Sequence, residues 1–477
     1  MPHLRLRRLV TPVAVVASSL ALVAMGLTAG TAGVAAAGVR PAVTGIPAGS
    51  VVGVTATTVT IGATVPLTGI ASTGYDQVAK AADAVFKWVN AHGGINGRKI
   101  VYDIIDDCYG TPGFGCKGNP NTHADTVTLV TKDHVFATVG SLGTPTQAPE
   151  RGYLKSTNTP QLFVNSGSID WNCVPGSGTP GSACNHTTYP GTFGWQPSYV
   201  TESKILAKYI KANYAGKKVC FLGQDDDFGH DGELGLAYGG ITPTVTEYYS
   251  VDALVLSGAS AITPYIEKFQ QHGCSVVYLD TIPGATAAAL GNAEALGYSP
   301  QWVISSVGAD PTSVATELGK TPDKEPGAIS FAYLATTHGF SDPWIGWTYK
   351  VLAADQAQFP GFNGRSVLNG NEAYGVGWGV AFVEALRAAG RNFTRGSFLA
   401  ILNHSKFETP ALTPLQYSTS NHQGLLGGFV DKIMSKTAAE PAPGRFGNKQ
   451  VWVTNSTKNG PITSTTALSL TIPAWLQ

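Results

Sequence analysis

Hydroxyl side chains follow two of the predicted strands, where they could bind an oxygen-rich chemical group. Thr144 lies beyond the strand Val135 to Gly140, and Ser166 and Ser168 lie beyond the strand Gln161 to Asn165. In open α/β sheets ligands bind beyond the carboxyl ends of the strands, and hydroxyls beside free backbone N–H groups suit a carboxylate. The same residues could instead be ordinary helix caps and turn residues. Residue type alone leaves both interpretations open.

Signatures of common catalytic sites are absent from the sequence. It contains no Gly-x-Ser-x-Gly nucleophile motif, no Walker phosphate-binding loop and no His-Glu-x-x-His zinc motif. The ten histidines are scattered, and Asp225, Asp226 and Asp227 lack the spaced oxygen ligands of a calcium loop. We therefore predict no catalytic residue, no cofactor and no metal site, and expect that the protein is not an enzyme.

Composition narrows the class of partner. The chain has 477 residues, 43% of them hydrophobic and only 13% charged, which is enough apolar surface for large buried cores. Lys plus Arg and Asp plus Glu both number 31, so the formal net charge is zero. Without basic runs, a nucleic acid is not expected as a partner. We expect a monomer that binds a small polar ligand.

The N-terminal segment has the pattern of an export signal. Three arginines precede the apolar stretch Leu9 to Leu27, and small residues follow as far as Ala37. This pattern predicts a signal peptide over residues 1–37, with a retained membrane anchor as the alternative. No Cys precedes Cys108, so we expect a periplasmic, extracellular or cell-envelope protein that is not lipid-anchored through an N-terminal Cys.

The cysteines indicate a structural role in an oxidising compartment. Six cysteines follow the predicted signal, without Cys-x-x-Cys spacing. Local spacing around Gly/Pro-rich loops predicts two bridges, Cys108 with Cys116 and Cys173 with Cys184. For Cys220 and Cys274, a third bridge and a buried pair of free thiols both stay open.

Hydrophobic periodicity predicts an α/β fold. Strands alternate with helices from Val59 onward, and the pattern restarts near Trp195. Such alternation is typical of parallel sheets flanked by helices. Between the predicted strands Lys218 to Leu222 and Thr244 to Ser250, the acidic and glycine-rich segment is interpreted as a turn with packing glycines.

Several segments, in order, resemble one family. They are VTIGATVPLTG and GGINGRK in the first hundred residues, then GSLGTPTQAPERGYL, LFVNSGSIDW, DDDFGHDG and STSNHQG. Together, over roughly residues 57 to 454, the chain resembles the leucine/isoleucine/valine-binding-protein family, the type I periplasmic binding proteins of ABC importers. The resemblance implies two Rossmann-like lobes, joined by a three-segment hinge, that close like a venus flytrap. It also implies an ABC-importer permease in the membrane as partner.

The resemblance further implies lobe bounds and ligand-binding positions. Lobe 1 would comprise residues 57–196 and 336–412, and lobe 2 residues 200–333 and 415–477. Ser166 and Ser168 would hold the ligand carboxylate, and Phe228 would cover the ligand from lobe 2. The implied positions are Tyr75, Thr144, Ser166, Ser168, Phe228 and, less directly, Tyr374.

One position departs from the family. Amino-acid-binding relatives place an acid after the strand Gln301 to Ser305, where it neutralises the ligand ammonium, and here that position is Ser306. Burying an ammonium without a carboxylate is costly, so Asp280 is predicted to substitute. Alternatively Asp280 caps the helix that begins near Ala285 or faces water, and the ligand is an amide, a neutral polar solute or an amine-free carboxylate.

These observations predict an extracytoplasmic solute-binding protein of an ABC importer, with amino-acid transport among its expected roles. The ligand would be an amino acid, an amide or a related carboxylate, bound between the lobes by hinge closure. The alternative is a ligand-sensing receptor of the same fold without a transport role.

Overall fold

The computed structural model describes eight ranges of the chain. They are residues 51–172, 188–319, 325, 327–335, 343–362, 368–433, 450–467 and 472–476. The predicted signal peptide and the predicted Cys173–Cys184 bridge lie outside these residues. Within them, no helix is both long and apolar enough to cross a membrane.

The first sheet has five parallel strands in the order β2-β1-β3-β4-β5. Its strands are β1 Thr58–Val65, β2 Lys99–Asp106, β3 Thr138–Val139, β4 Gln161–Val164 and β5 Thr192–Gly194. The helices between these strands are α1 Ser72–Ala91, α2 Thr122–Thr131, α3 Thr144–Gln147, α4 Glu150–Ser156 and α5 Ile169–Asn172, with a 3₁₀ turn at Cys108–Gly110.

The second sheet has eight strands in the order β15-β14-β13-β10-β9-β8-β6-β7, and β11 pairs separately with β12. The strands are β6 Val219–Gln224, β7 Val245–Tyr249, β8 Val276–Asp280, β9 Gln301–Ile304, β10 Ile329–Ala332, β11 Lys406–Phe407, β12 Leu415–Gln416, β13 Gly427–Lys432, β14 Gln450–Val453 and β15 Thr463–Thr466. The helices are α6 Tyr199–Asn213, α7 Asp227–Tyr238, α8 Val251–Ser257, α9 Thr263–Gln271, α10 Pro283–Ala295, α11 Pro311–Leu318, α12 Pro343–Ala354, α13 Gly370–Ala389 and α14 Arg395–His404. Short 3₁₀ turns lie at Gly258–Ala261 and Ala474–Leu476.

The predicted α/β fold with two lobes is confirmed, with one difference in the second sheet. Strands β6 to β10 are parallel, as predicted, whereas β13, β14 and β15 join the sheet in antiparallel pairs. An antiparallel pair, unlike a parallel one, does not require a long crossover connection between its strands.

Among the described residues, the chain passes between the two sheets at three places. They are the segment from Gly194 to Tyr199, the segment after Ala332, and the segment between Gln416 and Gly427. The second segment lies beside the chain that leads to the third: Ala335 N–H donates to the Pro410 carbonyl at 3.0 Å, and Leu412 N–H to the Tyr333 carbonyl at 2.9 Å. This is the three-segment hinge that the resemblance implied. The numerical lobe bounds given above stay a prediction.

Helix α7 replaces the turn that we predicted for the DDDFGHDG segment. The prediction was wrong because glycine has a low helix propensity, and tertiary packing outweighs that propensity here. The Asp226 carboxylate caps the helix by accepting from Phe228 N–H at 2.9 Å. A Cβ on Gly235 would lie 2.7 Å from the Val200 carbonyl of α6, so a larger residue would force the two helices apart. These glycines do pack closely, as expected, but inside a helix.

Two disulfides lie within the described residues. Cys108 is bonded to Cys116 with a Cα–Cα distance of 5.5 Å, which confirms that prediction. Cys220 in β6 is bonded to Cys274, just before β8, with a Cα–Cα distance of 5.9 Å. The sequence left open whether Cys220 and Cys274 form a third bridge or a pair of free thiols. They form a bridge, since β6 and β8 are neighbours in the sheet.

We expect the two bridges to differ in their reactivity in the native protein. Cys220 and Cys274 are 0% and 3% exposed, whereas Cys116 lies in a half-buried position on a loop. Thiol–disulfide exchange requires access to a sulfur, so mild reductant should open Cys108–Cys116 first. Timed alkylation followed by peptide mass spectrometry would measure this order. Labelling of Cys220 and Cys274 at the same rate or earlier would contradict it.

A buried lysine connects α6 to the segment after β14. Lys204 is 1% exposed, and burial lowers its pKa to about 8. Its ammonium donates to the Thr454 hydroxyl at 2.9 Å and to the carbonyls of Asn455, Thr457 and Gly460 at 3.0, 2.8 and 3.1 Å. Four oxygens therefore accept from this one side chain.

Lys204→Met should lower the free energy of unfolding by about 2–4 kcal/mol, because it leaves several buried oxygens without a donor. The control is Lys208→Met on the same helix. Lys208 is exposed and lies 3.7 Å from the centroid of the Trp452 ring, so its loss should cost less than about 1 kcal/mol. Urea unfolding would compare the two variants, and equal costs would show that the Lys204 hydrogen bonds add nothing.

Candidate functional site

The hydroxyl residues predicted from the sequence meet at one edge of the first sheet. The Thr144 and Ser166 hydroxyl oxygens lie 2.8 Å apart. Ser166 Oγ accepts from Ser168 N–H at 3.1 Å, and Ser168 Oγ accepts from Asp170 N–H at 3.2 Å. The serines thus act as turn residues, and their hydroxyls also interact with side chains: Ser166 with Thr144, and Ser168 with Asp231. We call Thr144, Ser166 and Ser168 the hydroxyl cluster.

Tyr199, at the start of α6, reaches the hydroxyl cluster from the second lobe. Its hydroxyl interacts with the Thr144 and Ser166 side chains, and burial raises the pKa of this phenol. Its backbone N–H donates to the Gly167 carbonyl at 2.7 Å, and a Cβ on Gly167 would lie 2.7 Å from the Tyr199 ring. Only a glycine at 167 therefore lets the ring lie against this loop. The sequence analysis missed Tyr199.

Phe228 also lies in the cleft, at the first turn of α7. Its ring centroid is 4.5 Å from that of Tyr199, and the side chain is 1% exposed. The structure therefore brings Phe228 toward the hydroxyl cluster, with the Tyr199 ring in contact with both.

Hydrogen bonds cross directly from one lobe to the other. They are Tyr75 hydroxyl to Val307 carbonyl at 3.0 Å, Gln224 amide to Tyr109 hydroxyl at 3.2 Å, and Ile169 N–H to Asp231 carboxylate at 2.9 Å. Two more lie nearer the start of α13, Gly370 N–H to Asp310 carboxylate at 3.0 Å and Asn371 amide to Ser313 hydroxyl at 3.1 Å. The cleft between the lobes is closed in this structure, and Tyr75 is one of the residues that hold it.

Tyr374, the weakest of the predicted positions, lies beside the hinge. Its hydroxyl donates to the Gln196 amide oxygen at 2.6 Å. Its ring centroid is 6.4 Å from those of Trp195 and Tyr333, both on segments that pass between the sheets. The side chain therefore connects helix α13 with the first two hinge segments.

Asp280 lies at the end of β8, buried beneath α7. It is 1% exposed, and neither carboxyl oxygen has a hydrogen-bond partner among the described residues. A Cβ on Gly232 would lie 1.8 Å from Asp280 Oδ2, so the carboxyl packs directly on the α7 backbone. Burial, and next the charge of Glu202, raise the pKa of Asp280 well above its usual value. It neither caps α10 nor faces water, and its role as an ammonium anchor stays a prediction.

Ser306 hydrogen-bonds the carboxylate of Glu202, a residue that was not predicted from the sequence. Its N–H and hydroxyl donate to the two carboxyl oxygens of Glu202 at 2.6 and 2.7 Å. Glu202 is 1% exposed, and burial raises its pKa to about 7, opposed by the two hydrogen bonds from Ser306. A carboxylate thus lies beside the position where amino-acid-binding relatives place their acid, but it comes from α6.

Two further acidic residues, Asp225 and Asp226, have local partners. Asp226 caps α7 and accepts from the Gln224 amide at 2.6 Å, while Asp225 lies 3.4 Å from His230 Nε2. Among the described residues, no group of three or more His, Cys, Asp or Glu side chains is arranged to hold a metal ion. The run from Asp225 to Asp227 therefore serves the start of a helix.

A groove of about 560 Å³ opens to one side of this cleft. Its walls come from the start of α1, from α11 and from the segment between α12 and α13, including Thr73, Ser313 and Phe359. None of the predicted ligand-binding residues lines it. The groove is therefore separate from the hydroxyl cluster.

Comparison with known proteins gives a family match over most of the chain. A model of the periplasmic binding protein family matches residues 58–430. The Leu/Ile/Val-binding protein homolog 3 of Brucella melitensis is 25% identical over 224 residues, which cover 46% of this chain and 53% of that protein. The chain thus spans about half the length of this curated relative.

Solved structures share the fold at low sequence identity. A branched-chain amino acid ABC transporter protein from Thermus thermophilus with bound valine has a TM-score of 0.63 at 17% identity, covering 88% of this chain and 97% of that one. A fatty acid ABC transporter substrate-binding protein from Thermomonospora curvata has a TM-score of 0.62 at 16% identity, covering 89% and 95%. A protein from Rhodopseudomonas palustris in complex with 4-hydroxybenzoate has a TM-score of 0.61 at 13% identity, covering 80% and 94%.

The family match over residues 58–430 agrees with the structure. The structure has two sheets joined by three hinge segments, a closed cleft between them, and the hydroxyl cluster at the edge of that cleft. This chain belongs to the periplasmic binding protein family.

Proposed function

We propose that the protein is an exported solute-binding protein of an ABC importer, and that it binds a small polar carboxylate between its lobes by hinge closure. The observation that carries this proposal is the position of the hydroxyl cluster. It lies at the carboxyl ends of parallel strands, where such sheets bind ligands, and it faces side chains of the other lobe.

The ligands named for the structural relatives support a carboxylate. One relative holds valine, another 4-hydroxybenzoate and a third 3,4-dihydroxybenzoic acid. These molecules share a carboxylate and differ in the rest of their structure. In this chain the hydroxyl cluster offers the donors that a carboxylate requires, and Phe228 and Tyr199 offer apolar surface for the remainder.

Hinge closure would link ligand binding to recognition by the importer. A ligand stabilises the closed form to the extent that it contacts both lobes, and the hydrogen bond from Tyr75 to Val307 forms only when they meet. An importer in the membrane could then distinguish loaded from empty protein by shape. The predicted signal peptide would deliver the protein to the compartment where the importer collects its solute.

A thermal-shift screen of amino acids, short amides and small carboxylates tests the proposal first. A ligand at 100 times its Kd should add about 2.7 kcal/mol to the stability of the folded protein. We expect stabilisation by at least one carboxylate. A screen in which no small polar solute raises the melting temperature would contradict the proposed function.

Ser166→Ala combined with Ser168→Ala should weaken binding of that carboxylate at least about tenfold, because the ligand oxygens lose donors. Calorimetry on the folded variant measures the affinity, and circular dichroism confirms the fold. The matched control is Ser156→Ala, at the end of α4, whose hydroxyl donates to the Tyr153 carbonyl at an exposed site. Unchanged affinity in the double variant would show that Ser166 and Ser168 are turn residues only.

Tyr75→Phe should weaken ligand binding about two- to tenfold, because it removes one hydrogen bond that joins the closed lobes. The matched control is Tyr102→Phe, whose hydroxyl donates to the Val139 carbonyl at 3.1 Å inside the first lobe. That change should affect stability but leave the affinity unchanged, as isothermal calorimetry would measure. Equal losses of affinity in the two variants would refute a role of Tyr75 in closure.

A further inference from the structure

The environment of Glu202 separates it from the other buried acids of the second lobe. Glu202 occupies the first turn of α6, directly after the first hinge segment. Its carboxylate is held at the end of β9 by both donors of Ser306, at 2.6 and 2.7 Å. The group is thus fixed in one orientation by two charge-assisted hydrogen bonds.

The surroundings of Glu202 place it at the cleft. Ser306, which is half-buried, immediately precedes Val307, whose carbonyl accepts the interlobe hydrogen bond from Tyr75. Tyr333, on the second hinge segment, interacts with the Ser306 side chain and with the charges of Glu202 and Tyr199. Glu202 therefore lies beside a hinge segment and next to the residue pair that joins the two lobes.

Helix geometry connects Glu202 with the hydroxyl cluster. Tyr199 precedes Glu202 by three residues, so the two side chains lie on one face of α6, about one helical turn apart. The Tyr199 hydroxyl reaches Thr144 and Ser166, whereas the Glu202 carboxylate reaches Ser306. Donors for an anion and an acceptor for a cation thus flank the same stretch of the cleft.

The charge of Glu202 has no counterion in the part of the chain that the structure describes. Within the described ranges, no Lys or Arg forms an ion pair with it, and its hydrogen-bond donors are the two groups of Ser306. Asp280, the neighbouring acid, packs beneath α7, where burial and then the charge of Glu202 raise its pKa well above the usual value. Glu202 differs in that its carboxylate accepts two short hydrogen bonds from Ser306, which stabilise the anion. A buried anion without a counterion is costly, and a ligand cation would compensate it.

We propose that Glu202, and not Asp280, binds the ammonium group of an amino-acid ligand whose carboxylate lies at the hydroxyl cluster. This inference rests on the proposed function and narrows it to one class of solute. The acid expected at position 306 is supplied instead by α6, and Ser306 orients it.

Matched pairs of solutes test the inference. The wild-type protein is titrated with L-valine, L-leucine, L-phenylalanine and L-glutamate, and with the corresponding amine-free acids 3-methylbutanoate, 4-methylpentanoate, 3-phenylpropanoate and glutarate. Calorimetry gives the affinities. We expect at least one amino acid to bind and its amine-free partner to bind much more weakly.

Glu202→Gln then isolates the charge. The amide can still accept from Ser306 N–H and donate to Ser306 Oγ, so the local structure is retained. Affinity for the amino acid should fall about 30-fold or more, whereas affinity for its amine-free partner should not fall. Asp280→Asn is the matched control, and it should change the amino-acid affinity less than about threefold, because that carboxyl packs beneath α7 and burial disfavours its charged form.

A double variant keeps the inference testable if the single change perturbs the fold. Glu202→Gln with Ser306→Asp returns a carboxylate to the same place from β9, and it should restore part of the amino-acid affinity. Equal effects of Glu202→Gln on both members of a pair, or a large loss with Asp280→Asn alone, would overturn the inference. Binding of amine-free acids only would overturn it while leaving the proposed function intact. If no member of either set binds, the proposed function itself fails.

Discussion

Polar groups buried between the two lobes need hydrogen-bonding partners, and several of them find a partner in the opposite lobe. The Asp231 carboxylate accepts from Ile169 N–H, and the Tyr75 hydroxyl donates to the Val307 carbonyl. Each such pair has one correct geometry, so together they define how far and in which direction the hinge closes. The same constraint explains why hydroxyls and carboxyls lie so close to one another in the cleft.

Much of the fold could be predicted from the sequence because alternating strands and helices leave a local periodic pattern. The meeting of Thr144 with Ser166 was predictable too, since parallel strands end at a common edge. Glu202 was not, because its partner Ser306 lies 104 residues away and nothing local signals the contact. Helix α7 was missed for the opposite reason: its glycines predict a turn locally, and only packing against α6 explains the helix.

Helix α6 contacts the hinge, the cleft and the last strands of the second sheet. Ser198 caps it at the first hinge segment, and Tyr199 and Glu202 on its first turn face the cleft. One residue beyond Glu202, Ser203 hydrogen-bonds the Tyr278 hydroxyl of β8 at 2.7 Å, and Lys204 binds the segment after β14. Because one helix carries all these groups, they move together when the hinge moves.

The position of strands β13 to β15 late in the chain affects the order in which the two lobes fold. They complete the second sheet with residues that the ribosome makes more than two hundred positions after α6, and Lys204 bonds residues 250 to 256 positions away. Contacts so distant along the chain form slowly, because a long loop must close before they contribute. The second lobe therefore stays incomplete until β13 to β15 have been made, and for a protein proposed to be exported, the unfinished chain remains loose enough to be threaded across a membrane.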